Sequence, residues 1–206
     1  MTVEQHSEPV TAAAWAPDGE SFVTASLDSK AQLCHWGMRS HRPLHVWTGG
    51  FRVQDCAITP DGSRLIAADE IGKLHVYNFE THAEEYCLPL RSKATSVSVS
   101  KDSKYILINM AEGQLHLIDL ETTEVVRRFR GQKQGEFVIR GGFGGAAENF
   151  VVSGSEGTFA LYKRVRLDAN LDRFACLHLA QGEQYSCGGI RGAYKRLCEC
   201  CLLEPG

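Results

Sequence analysis

Trp15-Ala16-Pro17-Asp18-Gly19 reappears as Ile58-Thr59-Pro60-Asp61-Gly62 and, weakened, as Val99-Ser100-Lys101-Asp102-Ser103, at intervals of 43 and 41 residues. Downstream of each copy lies a second matched block: Leu33-Cys34-His35-Trp36-Gly37, Leu74-His75-Val76-Tyr77-Asn78 and Leu115-His116-Leu117-Ile118-Asp119, spaced by 41 and 41. Two blocks recurring together at one period mark a repeat architecture. Within a repeat, short alternating apolar segments are separated by turn residues, the pattern of antiparallel strands with one buried face. Pro17-Asp18-Gly19 has the composition of a tight turn, proline presetting φ and glycine free to take φ > 0. A strand is expected over residues 21 to 26, a turn at Asp28-Ser29-Lys30, and a third strand over residues 31 to 36. A period near 40 with three or four strands per unit is that of a propeller blade. The expected fold class is therefore all-β, a partial β-propeller of three blades and a broken fourth, with an irregular C-terminal tail.

The blades are expected at about residues 6–47, 48–88, 89–128 and 129–162, the last incomplete, so that residues 1–156 form the propeller segment. Phe150 to Glu156 aligns with Ser21 to Leu27, yet Gly157 stands where Asp28 predicts an acid, and no matching end follows. Residues 157–206 carry no repeat signal, hold five of the eight cysteines and have 7 basic against 5 acidic residues. Gly157-Thr158-Phe159 can be encoded with an internal splice donor, and splicing there would restore an Asp after Glu156. The tail is accordingly read as translated intron or otherwise misread DNA, with a divergent genuine terminus as the alternative. Three blades and a partial one fall short of the roughly 4 to 8 blades of closed rings, which predicts open sheet edges in residues 1–156.

Composition narrows the function. Of 206 residues 43% are hydrophobic and the formal charge is −3. No apolar run approaches the about 20 residues needed to cross a bilayer, and Met1 to Pro9 lacks a signal-peptide pattern. A cytoplasmic location, extending to the nucleus, is the expectation, with reduced cysteines; Cys34, Cys56 and Cys87 sit in apolar segments as small core residues.

The first repeat resembles the WD-repeat pattern, in which a loop His, a strand Ser or Thr, a turn Asp and a Trp form a buried hydrogen-bonded tetrad. Here these are His6, Thr24 or Ser26, Asp28 and Trp36. The Asp accepts from the imidazole and turn amides, while the indole, a donor only, needs a partner once buried. The later repeats are degenerate: Asp69 and Tyr77 in the second, Met110 and Ile118 in the third, with Gly49 and Leu90 where the His belongs. Those blades are expected to rest on packing of Ile58, Leu65, Val97, Val99, Ile106 and Leu117. The segment from Phe129 to Glu156, with Arg52-Val53-Gln54-Asp55-Cys56 and Tyr77-Asn78-Phe79-Glu80, is similar to the WD repeat-containing protein 26 family and its fungal counterpart in the glucose-induced-degradation complex. The similarity runs from residue 6 to 156. It implies a non-catalytic scaffold or adaptor of a multisubunit ubiquitin ligase, acting in proteasome-dependent degradation through substrate recruitment or complex assembly. The family carries helical LisH elements before the propeller; without them, incorporation into the ligase would be compromised. An adaptor in another pathway, or a non-functional truncated product, is the competing reading.

Other signals favour bland explanations. Gly141 to Gly145 lacks the lysine and the following helix of a phosphate loop and is expected to be an inter-strand loop. Arg127, Arg128, Arg130, Lys133 and Arg140 form a basic cluster, but residues 1–156 hold 15 Lys+Arg against 20 Asp+Glu, which disfavours nucleic acid. His41, His45, His75, His82 and His116 form no ligand pair at helical spacing, and His35, His75 and His116 are read as one repeat position on a strand surface, without metal. Glu84-Glu85 is placed in a linker with its carboxylates pointing apart. Cys187 with Cys198-Glu199-Cys200-Cys201 lacks the gap of a structural zinc site. The expected partners are proteins, with no nucleic acid, membrane, small-molecule substrate, cofactor, metal or catalytic residue.

Overall fold

The computed structural model describes residues 5–30, 32–157 and 160–165. Their strands form antiparallel sheets in chain order. Blade 1 is β1 (Val10–Trp15), β2 (Ser21–Ser26), β3 (Leu33–Gly37) and β4 (His45–Trp47). Blade 2 is β5 (Val53–Ile58), β6 (Arg64–Asp69), β7 (Lys73–Asn78) and β8 (Glu84–Pro89). Blade 3 is β9 (Ala94–Val99), β10 (Tyr105–Met110), β11 (Gln114–Asp119) and β12 (Val125–Arg130). A fourth sheet holds β13 (Gly141–Gly144), β14 (Phe150–Ser153) and β15 (Leu161–Arg164). The first strands lie side by side, β1 against β5, β5 against β9 and β9 against β13, which is the radial stacking of a propeller.

The repeated turn sets this geometry. Gly19, Gly62 and Ser103 all take positive φ, at 69°, 73° and 59°. Their amides donate to the carbonyls of Ala16, Thr59 and Ser100. Asp18, Asp61 and Asp102 each accept from the amide two residues on, fixing the same turn three times. Threonine hydroxyls then tie first strands to the next blade: Thr11 donates to the Val53 carbonyl of β5 at 2.8 Å and Thr95 to the Ile139 carbonyl, just before β13, at 3.3 Å.

The core lies between blades. Val23, Ala25 and Leu33 pack on Val53, Leu65 and Tyr77; Leu74 and Val76 pack on Ile106, Ile108 and Met110; Leu107, Leu115 and Leu117 pack on Val151 and Leu161. Of the residues expected to hold the later blades, Leu65, Val97, Ile106 and Leu117 are buried and Ile58 and Val99 half-buried.

Two expectations need correction. Gly141 to Gly144 is not a loop: it is the first strand of the fourth sheet, paired from Gly141↔Ser153 to Gly144↔Phe150. Glycines hide it, because they carry no side-chain alternation. In the same sheet Leu161–Arg164 pairs with Phe150–Ser153. Glu84 and Glu85 begin β8 and are not in a linker, although their carboxylates do diverge, to His75 and to Arg64. The tail reading from residue 166 onward, with the Cys187 and Cys198–Cys201 cluster, lies outside the described residues.

Candidate functional site

One cross-strand position recurs in blades 1 to 3 and carries buried polar side chains, among them Thr24, Asp69, His75 and His116. In blade 1 it lies on the face turned away from blade 2, where Cys34 and Trp36 pack with Phe22 and Val46. Trp36 Nε1 donates to Thr24 Oγ1 at 2.9 Å, and His6 Nε2 lies 2.7 Å from the same oxygen. Thr24 is thus the hydroxyl between imidazole and indole. Ser26 acts elsewhere, its hydroxyl reaching the Glu8 and Pro9 carbonyls at 3.1 and 3.0 Å and accepting from the Asp28 amide. Asp28 accepts from the Ser7 amide and hydroxyl at 2.9 and 2.7 Å and from the Lys30 amide at 2.8 Å. Burial, and then the Asp28 charge, pushes the Cys34 thiol up to about 11.

Strand pairing revises the equivalences. Trp36, Tyr77 and Ile118 are true counterparts, paired with Phe22, Leu65 and Ile106. Asp69 and Met110, however, pair with Val53 and Ala94 at the ends of β6 and β10, where blade 1 has Ser26 paired with Val10. The β2–β3 connection is longer than the β6–β7 one, so counting back from the downstream block misplaces Asp69 by two residues. The histidines do not share one position either, as the 41-residue spacing of the downstream block already sets His75 and His116 against Cys34. His75 and His116 pair with Ala67 and Ile108, matching Cys34 paired with Thr24, whereas His35 pairs with Val23 and faces the other way. All three are buried and not on a strand surface.

In blade 2 the position becomes an ionic cluster in a cleft of about 480 Å³ between blades 1 and 2. Asp69, almost fully buried, accepts from the Ile71 and Lys73 amides at 3.0 and 2.7 Å. His75 places Nε2 3.3 Å from Asp69 and Nδ1 2.8 Å from Glu84, with Phe51 stacked on its ring at 3.9 Å. Cys87 is exposed and not a core residue. With His75 and Glu84 it makes the set that could ligate a metal, their donor atoms lying within 4.8 Å. Burial and the Glu84 charge raise the Cys87 thiol, which opposes the thiolate such a site needs.

His35 belongs to a second cluster that sequence spacing does not reveal. Its Nδ1 lies 3.2 Å from His82 Nε2, and the His82 ring stacks on His45 at 4.2 Å and 3°. Trp47 donates its indole N–H to the His82 carbonyl at 3.0 Å. His82 sits at φ 61° in the β7–β8 turn, which carries it back toward blade 1, a placement no periodicity reports. In blade 3 the recurring position holds Met110 and His116, bordered by Arg91, Arg128 and Arg130. Of the remaining cluster, Arg140 approaches Asp55 at 3.9 Å, and the Lys133 amide bonds Ser155.

Comparison with known proteins agrees with this architecture. The family model of the WD domain, G-beta repeat, matches residues 1–34. The solved structure of U3-55K superposes with a TM-score of 0.68 over 79% of this chain and 51% of its own, at 13% identity, a likeness of fold. GID complex subunit 7 of Schizosaccharomyces pombe is 36% identical over 159 residues, 74% of this chain and 31% of that protein. WD repeat-containing protein 26 homologs are 32% identical in Arabidopsis thaliana, over 69% of this chain and 24% of the relative, and 30% in Drosophila melanogaster, over 79% and 25%. The chain spans about a quarter to a third of the length of these curated relatives. Fold and repeated register define a segment of WD-repeat β-propeller. In sequence the segment is homologous to WD repeat-containing protein 26 homologs and to GID complex subunit 7.

Proposed function

We propose that this chain supplies a non-catalytic protein-interaction surface within a multisubunit ubiquitin ligase, where it recruits substrates or holds the assembly together for proteasome-dependent degradation. The observation that carries the reading is the 36% identity to GID complex subunit 7 across 74% of the chain. The architecture supports it, since stacked blades present rigid rims and inter-blade clefts from which loops can meet other proteins. This role is placed in the cytoplasm and nucleus. Affinity purification of the full chain, tagged at its own locus, followed by mass spectrometry tests the proposal. Co-purification of ligase subunits is expected; their absence, with other assemblies recovered instead, would reassign the chain to another pathway.

A further inference from the structure

Blades 2 and 3 furnish the same cross-strand position with opposite charge. In blade 2, Asp69 closes the site, His75 stands opposite Cys87 and Lys73 opposite Pro89. In blade 3 the matching places hold Met110, His116 opposite Arg128, and Gln114 opposite Arg130. The acid is gone and two guanidiniums have been gained. Arg91, from the linker entering blade 3, adds a third to the lining of a cleft of about 100 Å³, in which Glu112 is the one acid. Arg128 and Arg130 flank buried Phe129 on β12, so strand alternation puts both on one face.

Glu112 faces this positive charge without pairing to it. Among the described residues, neither Arg91, Arg128 nor Arg130 makes an ion pair within 4.0 Å. His116 is 6% exposed, yet neither of its ring nitrogens has a hydrogen-bond partner among the described residues, whereas both nitrogens of His75 face carboxylates. Burial, then Arg128 and Arg91, lower its proton affinity, so it stands as a neutral ring offering one N–H donor into the cleft. His116 therefore presents an unpaired ring N–H at the inner end of a cleft ringed by three exposed guanidiniums, a donor set that an anion would complete.

We infer that the cleft lined by Arg91, His116, Arg128 and Arg130 docks an oxyanion borne by a protein partner, a carboxylate or phosphate monoester on an acidic peptide segment. Guanidinium forks match either group bidentately, and His116 supplies the inner donor. Three arginines in one small cleft of a chain whose net charge is −3 suit one or two peptide acids better than a nucleic-acid backbone. The inference rests on the protein-interaction reading, but it is measured without any ligase subunit, so either can fail alone.

Fluorescence anisotropy of the purified full chain tests it, with labelled peptides of equal length: one glutamate-rich, one bearing a single phosphoserine in a neutral background, and one neutral. A single-stranded RNA of similar charge is the fourth probe. Binding of the glutamate or phosphoserine peptide, weakening with salt, is expected; which one binds distinguishes the two sources. The exposed triple substitution Arg91→Gln, Arg128→Gln, Arg130→Gln should weaken it by at least about tenfold. Lys73→Gln, in the blade 2 cleft, should leave it unchanged, and circular dichroism should show each variant folded as the parent. Should the triple variant misfold, Arg128→Lys, which keeps the charge and loses the fork, carries the same comparison with a smaller loss. Equal binding of acidic and neutral peptides, full binding by the folded variants, or tighter binding of RNA through the same arginines would overturn the inference.

Discussion

Trp36 reaches across β3 to β2, its indole N–H donating to the Thr24 hydroxyl at 2.9 Å, and the same oxygen lies 2.7 Å from His6. One side chain therefore satisfies a buried indole and ties the leading loop to the blade. Thr24→Ala should destabilise blade 1 by about 1–3 kcal/mol, the cost of stranding buried polar groups, while Thr24→Ser should restore most of it. Urea unfolding followed by tryptophan fluorescence reads the difference. Equal loss in the two variants would assign the effect to the methyl group and its packing.

Asp28 and Met110 match in sequence register but hold their blades by different physics. Asp28→Ala removes the acceptor for the Ser7 and Lys30 amides and should cost about 1–3 kcal/mol. Met110 is buried in the apolar cluster between blades 2 and 3, and Met110→Ala should cost about 2–5 kcal/mol through the cavity left behind. Hydrogen exchange separates them: faster exchange confined to the N-terminal loop and β2–β3 for Asp28→Ala, and across β6 and β9–β11 for Met110→Ala. Uniform acceleration in both would argue against separate blade units.

The contrast between these two residues shows what is legible in a sequence. Turn chemistry at Pro17-Asp18-Gly19 and the alternating blocks report strand number, order and the Trp36 position, because both follow from local backbone geometry. Asp69 falls out of alignment because hairpin length is set by backbone closure, which the spacing of apolar residues does not record. The Gly141–Gly144 strand is invisible without side chains to alternate. The clusters at His35, His45 and His82, and at Arg91, Arg128 and Arg130, join residues from separate strands and linkers, so only tertiary structure assembles them.

The histidine cluster makes stability depend on pH in a definite direction. Burial lowers the proton affinity of His35, His45 and His82, and the proximity of His82 lowers His35 further. Between the ordinary value of 6.5 and these lowered values, the unfolded chain binds protons that the folded one refuses. The stabilisation is full above 6.5 and is lost as pH falls through that window. The urea midpoint should therefore drop between about pH 7.5 and 5.5, and His82→Gln should flatten the slope. A midpoint that is constant or rises on acidification would rule the cluster out as the cause.

Asp55 carries the last prediction. Its buried carboxylate accepts from the Cys56 amide at 3.0 Å and, across the blade boundary, from the Val97 amide at 2.9 Å, with Arg140 at 3.9 Å. Burial raises its proton affinity, and the Val97 amide, Arg140 and Cys56 amide oppose that rise without cancelling it. The sign is opposite to that of the histidines: the raised carboxyl contributes stability at low pH that is lost as pH rises from 3.8 through its folded value. At neutral pH the charge is thus a net burden, and the hydrogen bond to Val97 is what the site contributes. Asp55→Asn keeps an acceptor and discards the charge, so it should change stability little at about pH 7 and remove the acid-side gain. Asp55→Ala leaves the Val97 N–H without its partner between blades 2 and 3 and should cost about 1–3 kcal/mol, with faster exchange of that amide. If Asn proves as damaging as Ala, the Arg140 ion pair, and not the amide bridge, joins these blades.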